Sequence, residues 1–217
     1  MIIQVEIFTG GIQPLPASGR PTGMFKRPVA GPLELTEEGF AGDQQADRRV
    51  HGGPDKAVHL YPARHYASLA RSFPEIAAAL VPGALGENLS AADIDERDVR
   101  IGDIWQLGSA LLQVSQPRTP CWKIDERLAC EGVAALIASS HLTGWYLRVT
   151  RPGTVSPGDT LVLVQAASGA PTLHDAMRLW AEHRPSIAAL EALAQLPGMA
   201  PGWRDKIHQR LAWLKRL

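Results

Sequence analysis

The chain has 217 residues, 45% of them hydrophobic, and its 22 Lys plus Arg are balanced by 22 Asp plus Glu for a formal net charge of zero. That length buries a sizeable core, as one large domain or one domain with a small appendage, and the charge balance excludes a global field drawing the protein to nucleic acid or an anionic membrane, so any anion site has to be local. Two cysteines, Cys121 and Cys130, are too few for a disulfide framework and lack C-x-x-C spacing, which predicts a reducing, cytoplasmic compartment and argues against a structural zinc.

Ile3, Val5 and Ile7 alternate with polar residues before the turn-prone Thr9-Gly10-Gly11, the pattern of a half-buried strand. The same stretch has no cationic segment leading into a long apolar run, so no secretory leader is expected, and nothing further on is long enough to span a bilayer. Residues 62–72 read as a helix ended by Phe73-Pro74, a short helical piece follows through Leu80, and residues 132–140 are Ala- and Ile-rich helix. Ile104 to Leu107 and Ala110 to Val114 flank Gly108-Ser109 like a hairpin, Trp145 to Val149 alternates, and residues 155–164 close a first domain, 1–164, mainly β with some α and built as a barrel or sandwich.

Composition then shifts. Residues 165–171 read as an Ala/Ser/Gly linker opening a C-terminal unit, 165–217. Thr172-Leu173-His174-Asp175 has the form of a capping box for a helix through Trp180. Ile187, Leu190, Leu193 and Leu196, and then Trp203, Ile207, Leu211 and Leu214, put apolar stripes on two more helices, the last of them exposed and suited to a dimer contact. The basic residues Lys206, Arg210, Lys215 and Arg216 read as a solvated face rather than a nucleic-acid contact.

Three segments carry chemistry. Residues 42–58 combine glycines, acids, Arg49, His51 and Lys56 in a stretch too polar for a core; Gly52-Gly53 lets backbone approach a ligand, and the three basic side chains supply charge for a phosphate or oxyanion, although the spacing is not that of a P-loop. Gly86-Glu87-Asn88-Leu89 sets a carboxylate and an amide after a turn glycine, where they suit the donors and acceptors of a heterocycle. Gln116-Pro117-Arg118-Thr119-Pro120-Cys121 runs a strand into a turn stiffened by two prolines. An arginine beside a thiol favours thiolate, which is both a nucleophile and a soft-metal ligand. His59, His65 and His174 make no i, i+4 ligand pair, with His65 expected on a helix surface, and no Gly-x-Ser-x-Gly elbow is present.

The order of these pieces is more specific than any one of them. Gly42-Asp43, His51-Gly52-Gly53-Pro54-Asp55-Lys56-Ala57-Val58 with Tyr61, Gly86-Glu87-Asn88-Leu89, Ile101-Gly102-Asp103, Gln116 to Cys121, Gly144-Trp145 and Gly158-Asp159 together resemble the MOSC domain, named for the molybdenum-cofactor sulfurase C-terminus, over roughly residues 40 to 165. With the helical tail, the chain resembles the bacterial stand-alone MOSC proteins with a three-helix domain, a group that includes molybdoenzymes reducing N-hydroxylated purines such as 6-hydroxylaminopurine. The resemblance implies a MOSC-type β-barrel followed by a small three-helix domain. It also implies a molybdenum cofactor (molybdopterin), with Cys121 as molybdenum ligand and Arg118, Arg49, His51, Gly52, Gly53, Lys56, Glu87 and Asn88 around the cofactor. His51 or Lys56 would then protonate a leaving hydroxyl, and Cys130 would be structural. Since Gly-x-Gly-x-x-Gly is absent, electrons are expected from a separate flavoprotein reductase. Two alternatives stay open in the sequence: a sulfur carrier using Cys121, and a non-catalytic molybdopterin-binding module.

Overall fold

The computed structural model describes residues 1–216. Its strands are β1 (Ile2–Gln4), β2 (Glu6–Thr9), β3 (Gln13–Pro14), β4 (Pro21–Thr22), β5 (Arg27–Pro28), β6 (Leu33–Thr36), β7 (Gly39–Phe40), β8 (Val58–Pro62), β9 (Leu89–Ala91), β10 (Ile104–Leu107), β11 (Ala110–Pro117), β12 (Trp145–Arg151), β13 (Gly153–Val155) and β14 (Thr160–Gln165). Its helices are α1 (Arg48–His51), α2 (Arg64–Ser72), α3 (Lys123–Leu128), α4 (Val133–Ser140), α5 (Leu173–Ala181), α6 (Ile187–Ala194) and α7 (Pro201–Leu214), with 3-10 turns at Pro54–Lys56 and Pro74–Ala79.

The main sheet runs β1-β14-β10-β11-β12-β8-β9-β2-β5. Since β1 and β2 are two halves of one extended stretch, one pairing with β14 and the other with β9, the sheet curls until its ends share a single run of chain. The edge left beyond β2 is the exposed two-residue strand β5, too short to recruit another strand and ending in a proline. Ile3, Val5 and Ile7 face inward, each at most 6% exposed, as the period-2 pattern requires. The hairpin predicted around Gly108-Ser109 is present, with Trp105 opposite Leu112 and Leu107 opposite Ala110. Gly108 has φ +54°, and a Cβ there would stand 2.3 Å from the Thr154 carbonyl oxygen, so the turn admits no side chain.

A second apolar cluster, including Tyr66, Leu69, Leu85, Ile124 and Ile137, gathers α2, α3 and α4 against one end of the sheet. The three C-terminal helices share the main core: Leu173, Leu190, Leu193, Trp203, Ile207 and Leu211 belong to the same cluster as Trp105, Leu112 and Leu147. The last helix therefore corrects the expectation of an exposed apolar stripe, since Trp203, Ile207 and Leu211 are buried while Trp213 is the large apolar side chain left outside. The expected linker is also tied down, by Ala167 N–H donating to Asp103 Oδ1 (2.7 Å) and Arg100 Nε–H donating to the Ala170 carbonyl (3.1 Å). Thr172 caps α5 by accepting from the Asp175 N–H. No helix of the described residues is long and apolar enough to cross a membrane.

Candidate functional site

The reactive turn begins where β11 ends. Arg118 N–H donates to the Gly144 carbonyl at 3.0 Å, which extends the β11–β12 pairing by one step, and Ile124 N–H donates to the Cys121 carbonyl at 3.0 Å, which starts α3. Cys121 thus sits at a strand-to-helix corner, between two prolines that cannot donate and a helix that can. It lines a cleft of about 600 Å³, open mouth included, together with Arg118, His51, Lys56 and Asn88. These five of the expected site residues, drawn from three separate stretches of sequence, share one cavity.

The floor is an ordered polar network. Lys26 and Asp43 form a buried ion pair; Asp43 also accepts from Gly10 N–H and from Asn88 Nδ2, both at 2.9 Å. Asn88 Oδ1 accepts from His59 N–H (3.1 Å), and Nδ2 also reaches the Phe8 carbonyl (3.2 Å). Asn88 is therefore a strut between β2, β8 and the floor, with its amide groups already engaged. Arg118 is 7% exposed; its Nη2 donates to the Leu85 carbonyl at 3.1 Å, while Nη1 is a buried donor with no partner among the described residues. Such a donor costs roughly 1–3 kcal/mol until something accepts from it.

The lining charges are lopsided: Lys26, Lys56, Arg118 and Lys123 face the single carboxylate of Asp43. Burial, followed by Lys123, Arg118 and Lys56, pushes the His51 pKa down, so the imidazole is neutral at pH 7. Burial and then Lys206 lower the Lys56 pKa. His59 lies well below the usual histidine range because it is buried and faces Arg118 and Lys26. Burial raises the Tyr146 phenol, which also feels Arg118 and Cys121. Lys56 Nζ stands 5.9 Å from the Tyr146 ring centroid, and Tyr146 lies opposite His59 in the β8–β12 register, their rings 5.3 Å apart.

Other expected contacts lie elsewhere. The Arg49 side chain is 89% exposed and pairs with Asp47, the residue that caps α1; it does not line the cleft. Glu87 is fully buried, takes the Tyr66 hydroxyl and the N–H groups of Gly83 and Leu85, and is pushed up in pKa by desolvation. It braces the turn that holds Leu85 and offers nothing to a ligand. Gly52 and Gly53 also stay off the wall: a Cβ on Gly52 would meet the Gln45 side chain at 2.6 Å, and Gly53 supplies φ +87° at the start of the 3-10 turn that presents Lys56. His65, expected on a helix surface, is 4% exposed and lies 2.8 Å from Glu96 Oε2. Cys130 sits away from the cleft, beside Glu75.

Lys26 and Lys123 were not expected at the site, nor was Tyr146, and His59 was weighed only as a metal ligand. For the last two a signal existed, since the alternation that identifies β8 and β12 puts them opposite to Leu60 and Leu147. The assembled donors fit an anionic group ligated by one thiol: Arg118 Nη1 is waiting for an acceptor, the cations outnumber the acid, and Cys121 is exposed to the cavity. Among the described residues no three His, Cys, Asp or Glu side chains gather into a metal site, and Cys121 is the thiol that lines the cleft.

The MOSC domain family matches residues 47–162, and the YiiM-like, 3-alpha helix domain family matches residues 171–212. Protein YiiM of Escherichia coli (strain K12) is 40% identical over 95% of this chain and 91% of its own length. A protein of Gibberella moniliformis named "Reductase" is 31% identical over 80% of this chain, but that match covers 31% of the fungal protein. The crystal structure of YiiM from Escherichia coli superposes with a TM-score of 0.82 at 34% identity, covering 98% of this chain and 93% of that one.

Proposed function

We propose that this chain, which belongs to the MOSC domain family and carries a YiiM-like three-helix domain after it, is a cytoplasmic molybdenum-cofactor oxidoreductase that reduces N-hydroxylated bases such as 6-hydroxylaminopurine. MOSC domains are in general molybdenum-cofactor-binding domains. The observation that carries the proposal is the pairing, on one turn, of a cavity-facing thiol with a buried arginine donor that lacks an acceptor.

The reaction takes R–NH–OH, two electrons and two protons to R–NH2 and water, breaking the N–O bond. When bound, the molybdenum cofactor supplies the two-electron, oxygen-accepting chemistry. Cys121 would be its protein ligand, and Arg118, whose planar fork suits phosphate oxygens, would hold its anionic part with help from Lys123. Lys56 is the better proton donor of the two expected candidates. Its ammonium has been made more acidic by burial and by Lys206, which moves it towards the operating pH, whereas His51 is neutral there and serves as a hydrogen-bond partner. Tyr146, held as a phenol, shapes the wall over which Lys56 lies.

Electrons would come from a separate flavoprotein reductase. The fungal relative lends support, since this unit occupies under a third of a longer protein named a reductase. The decisive experiment is molybdenum and pterin analysis of the protein expressed in a cofactor-competent host. Near-stoichiometric molybdenum is expected in the wild type and in Cys130→Ser and should be lost in Cys121→Ser, with 6-hydroxylaminopurine turnover following the metal. Pterin without molybdenum, or neither, would overturn the redox assignment in favour of a binding module or a sulfur carrier.

A further inference from the structure

The three-helix unit does more than cover the barrel. Its first helix meets the main domain through a short set of directed bonds. The N–H groups at the start of α5, which have no partner inside the helix, donate to the segment before β10: His174 N–H to the Glu96 carbonyl (2.9 Å) and Leu173 N–H to the Val99 carbonyl (2.8 Å). Glu96, 2% exposed, then turns both carboxylate oxygens inward. Oε1 accepts the Gly144 N–H at 2.7 Å, and Oε2 lies 2.8 Å from His65 Nε2. From the other side, Thr143 Oγ1 stands 2.9 Å from the Gly144 carbonyl oxygen and 3.2 Å from Met177 Sδ of α5.

Gly144 is the residue these contacts converge on, and it is held tightly. Its φ is +66°, and a Cβ would stand 2.4 Å from the Leu60 carbonyl oxygen, so only glycine fits between β8 and the turn. Its own carbonyl accepts the Arg118 N–H. We infer that the three-helix unit is a positioning element of the cleft, acting through Glu96 and Thr143 on Gly144 and through Gly144 on the Arg118–Cys121 turn. Glu96 touches no ligand-facing surface and is a positioning residue in this scheme.

A second contact bears on the opposite wall. Ala200 N–H, just ahead of α7, donates to the Ser115 carbonyl at 2.9 Å, and Ser115 Oγ lies 2.6 Å from the carbonyl oxygen of Asp55, the neighbour of Lys56. The unit therefore bonds to β11, which leads into the Arg118 turn, and through Ser115 reaches the 3-10 turn that carries Lys56.

The inference rests on the reading that Arg118 and Cys121 work together, and its test requires no bound cofactor. The ratio of alkylation rates for iodoacetate over iodoacetamide reports the local charge at a thiol, because the thiolate fraction cancels between the two reagents. Cys130, beside Glu75, is the internal control. Compared with Glu96→Gln, which removes the same carboxylate charge, Glu96→Ala should lower the Cys121 ratio by about threefold, the order expected when one unit charge withdraws a few ångströms, and leave the Cys130 ratio unchanged. In Glu96→Gln the amide oxygen can still take the Gly144 N–H. If Glu96→Ala does not melt cooperatively, Thr143→Val and Met177→Ala carry the test, with the same direction expected. A folded variant with an unchanged Cys121 ratio overturns the inference. Failure of the functional reading would show separately, as a wild type without molybdenum.

Discussion

Arg118 and Arg49 stand on the two segments that flank the cleft, and the same residue type behaves in opposite ways on them. Arg118 is drawn inside by the end of a paired strand: its backbone is fixed by Gly144, one arm of its guanidinium is spent on Leu85, and the other is left without an acceptor. Arg49 belongs to a four-residue helix at the surface, where it closes a local pair with Asp47 in full contact with water. A charge in low dielectric acts strongly on whatever enters beside it, while an exposed pair is screened and contributes little. Charge near a cleft is thus a weaker guide to binding than charge held by backbone that is itself pinned.

The comparison can be broken most forcefully at Arg118. Arg118→Ala should weaken cofactor retention by about 100-fold, read as molybdenum content after gel filtration, while the stability lost with the Leu85 bond is offset by removal of the unpaired Nη1 donor. Arg118→Lys should not rescue retention, because an ammonium cannot reproduce the fork. Next in size, Lys56→Met should slow turnover by about 100-fold. In the wild type, activity should fall as pH rises through the depressed Lys56 pKa, below the ordinary lysine value of 10.5, and that alkaline limb should vanish from the variant's pH–rate profile.

A smaller effect separates the two histidines. His59 has a folded-state pKa well below the ordinary value of 6.5. The unfolded chain therefore takes up its proton first, so the stability this group contributes is fully present above pH 6.5 and is lost as pH falls towards the folded pKa. The loss should run at up to about 1.4 kcal/mol per pH unit. Urea melts between pH 7 and about pH 5 should show this slope, and His59→Gln should flatten it. His51→Gln should remove less, since His51 is only half-buried. At the small end, Arg49→Ala should change cofactor retention by less than about twofold; a large loss would mean that the exposed arginine swings inward on binding.

Much of the architecture was legible because it depends on local pattern. The alternation of Ile3, Val5 and Ile7, the hairpin about Gly108, the Thr172 cap and the three tail helices all follow from periodicity and turn chemistry, which neighbouring residues impose on one another. The strands β3 to β5 and β7 were not legible, since two residues carry no period. Helix α3 was hidden behind the prolines of the reactive turn. Residue type also misled: Glu87 and His65 were read by their chemistry and proved to be consumed by partners, Tyr66 and Glu96, that lie 21 and 31 residues away.

The sequence by itself determined that Cys121 and Arg118 share a stiff turn, that a Gly-rich basic loop and a Gly-Glu-Asn-Leu turn come before it, and that a helical unit comes last. Which of those side chains meet was decided by tertiary structure. Closing the sheet through β1 and β2 brings β8, β9 and β11 to one cleft. Burial there turned Asn88 into a strut, kept Glu87 out of reach, gave Lys26, His59 and Tyr146 a place at the site, and left Arg118 with a donor to offer. Spacing along the chain can name the groups that carry charge, but the desolvation that makes a charge effective depends on residues that the fold, and not the local sequence, sets beside it.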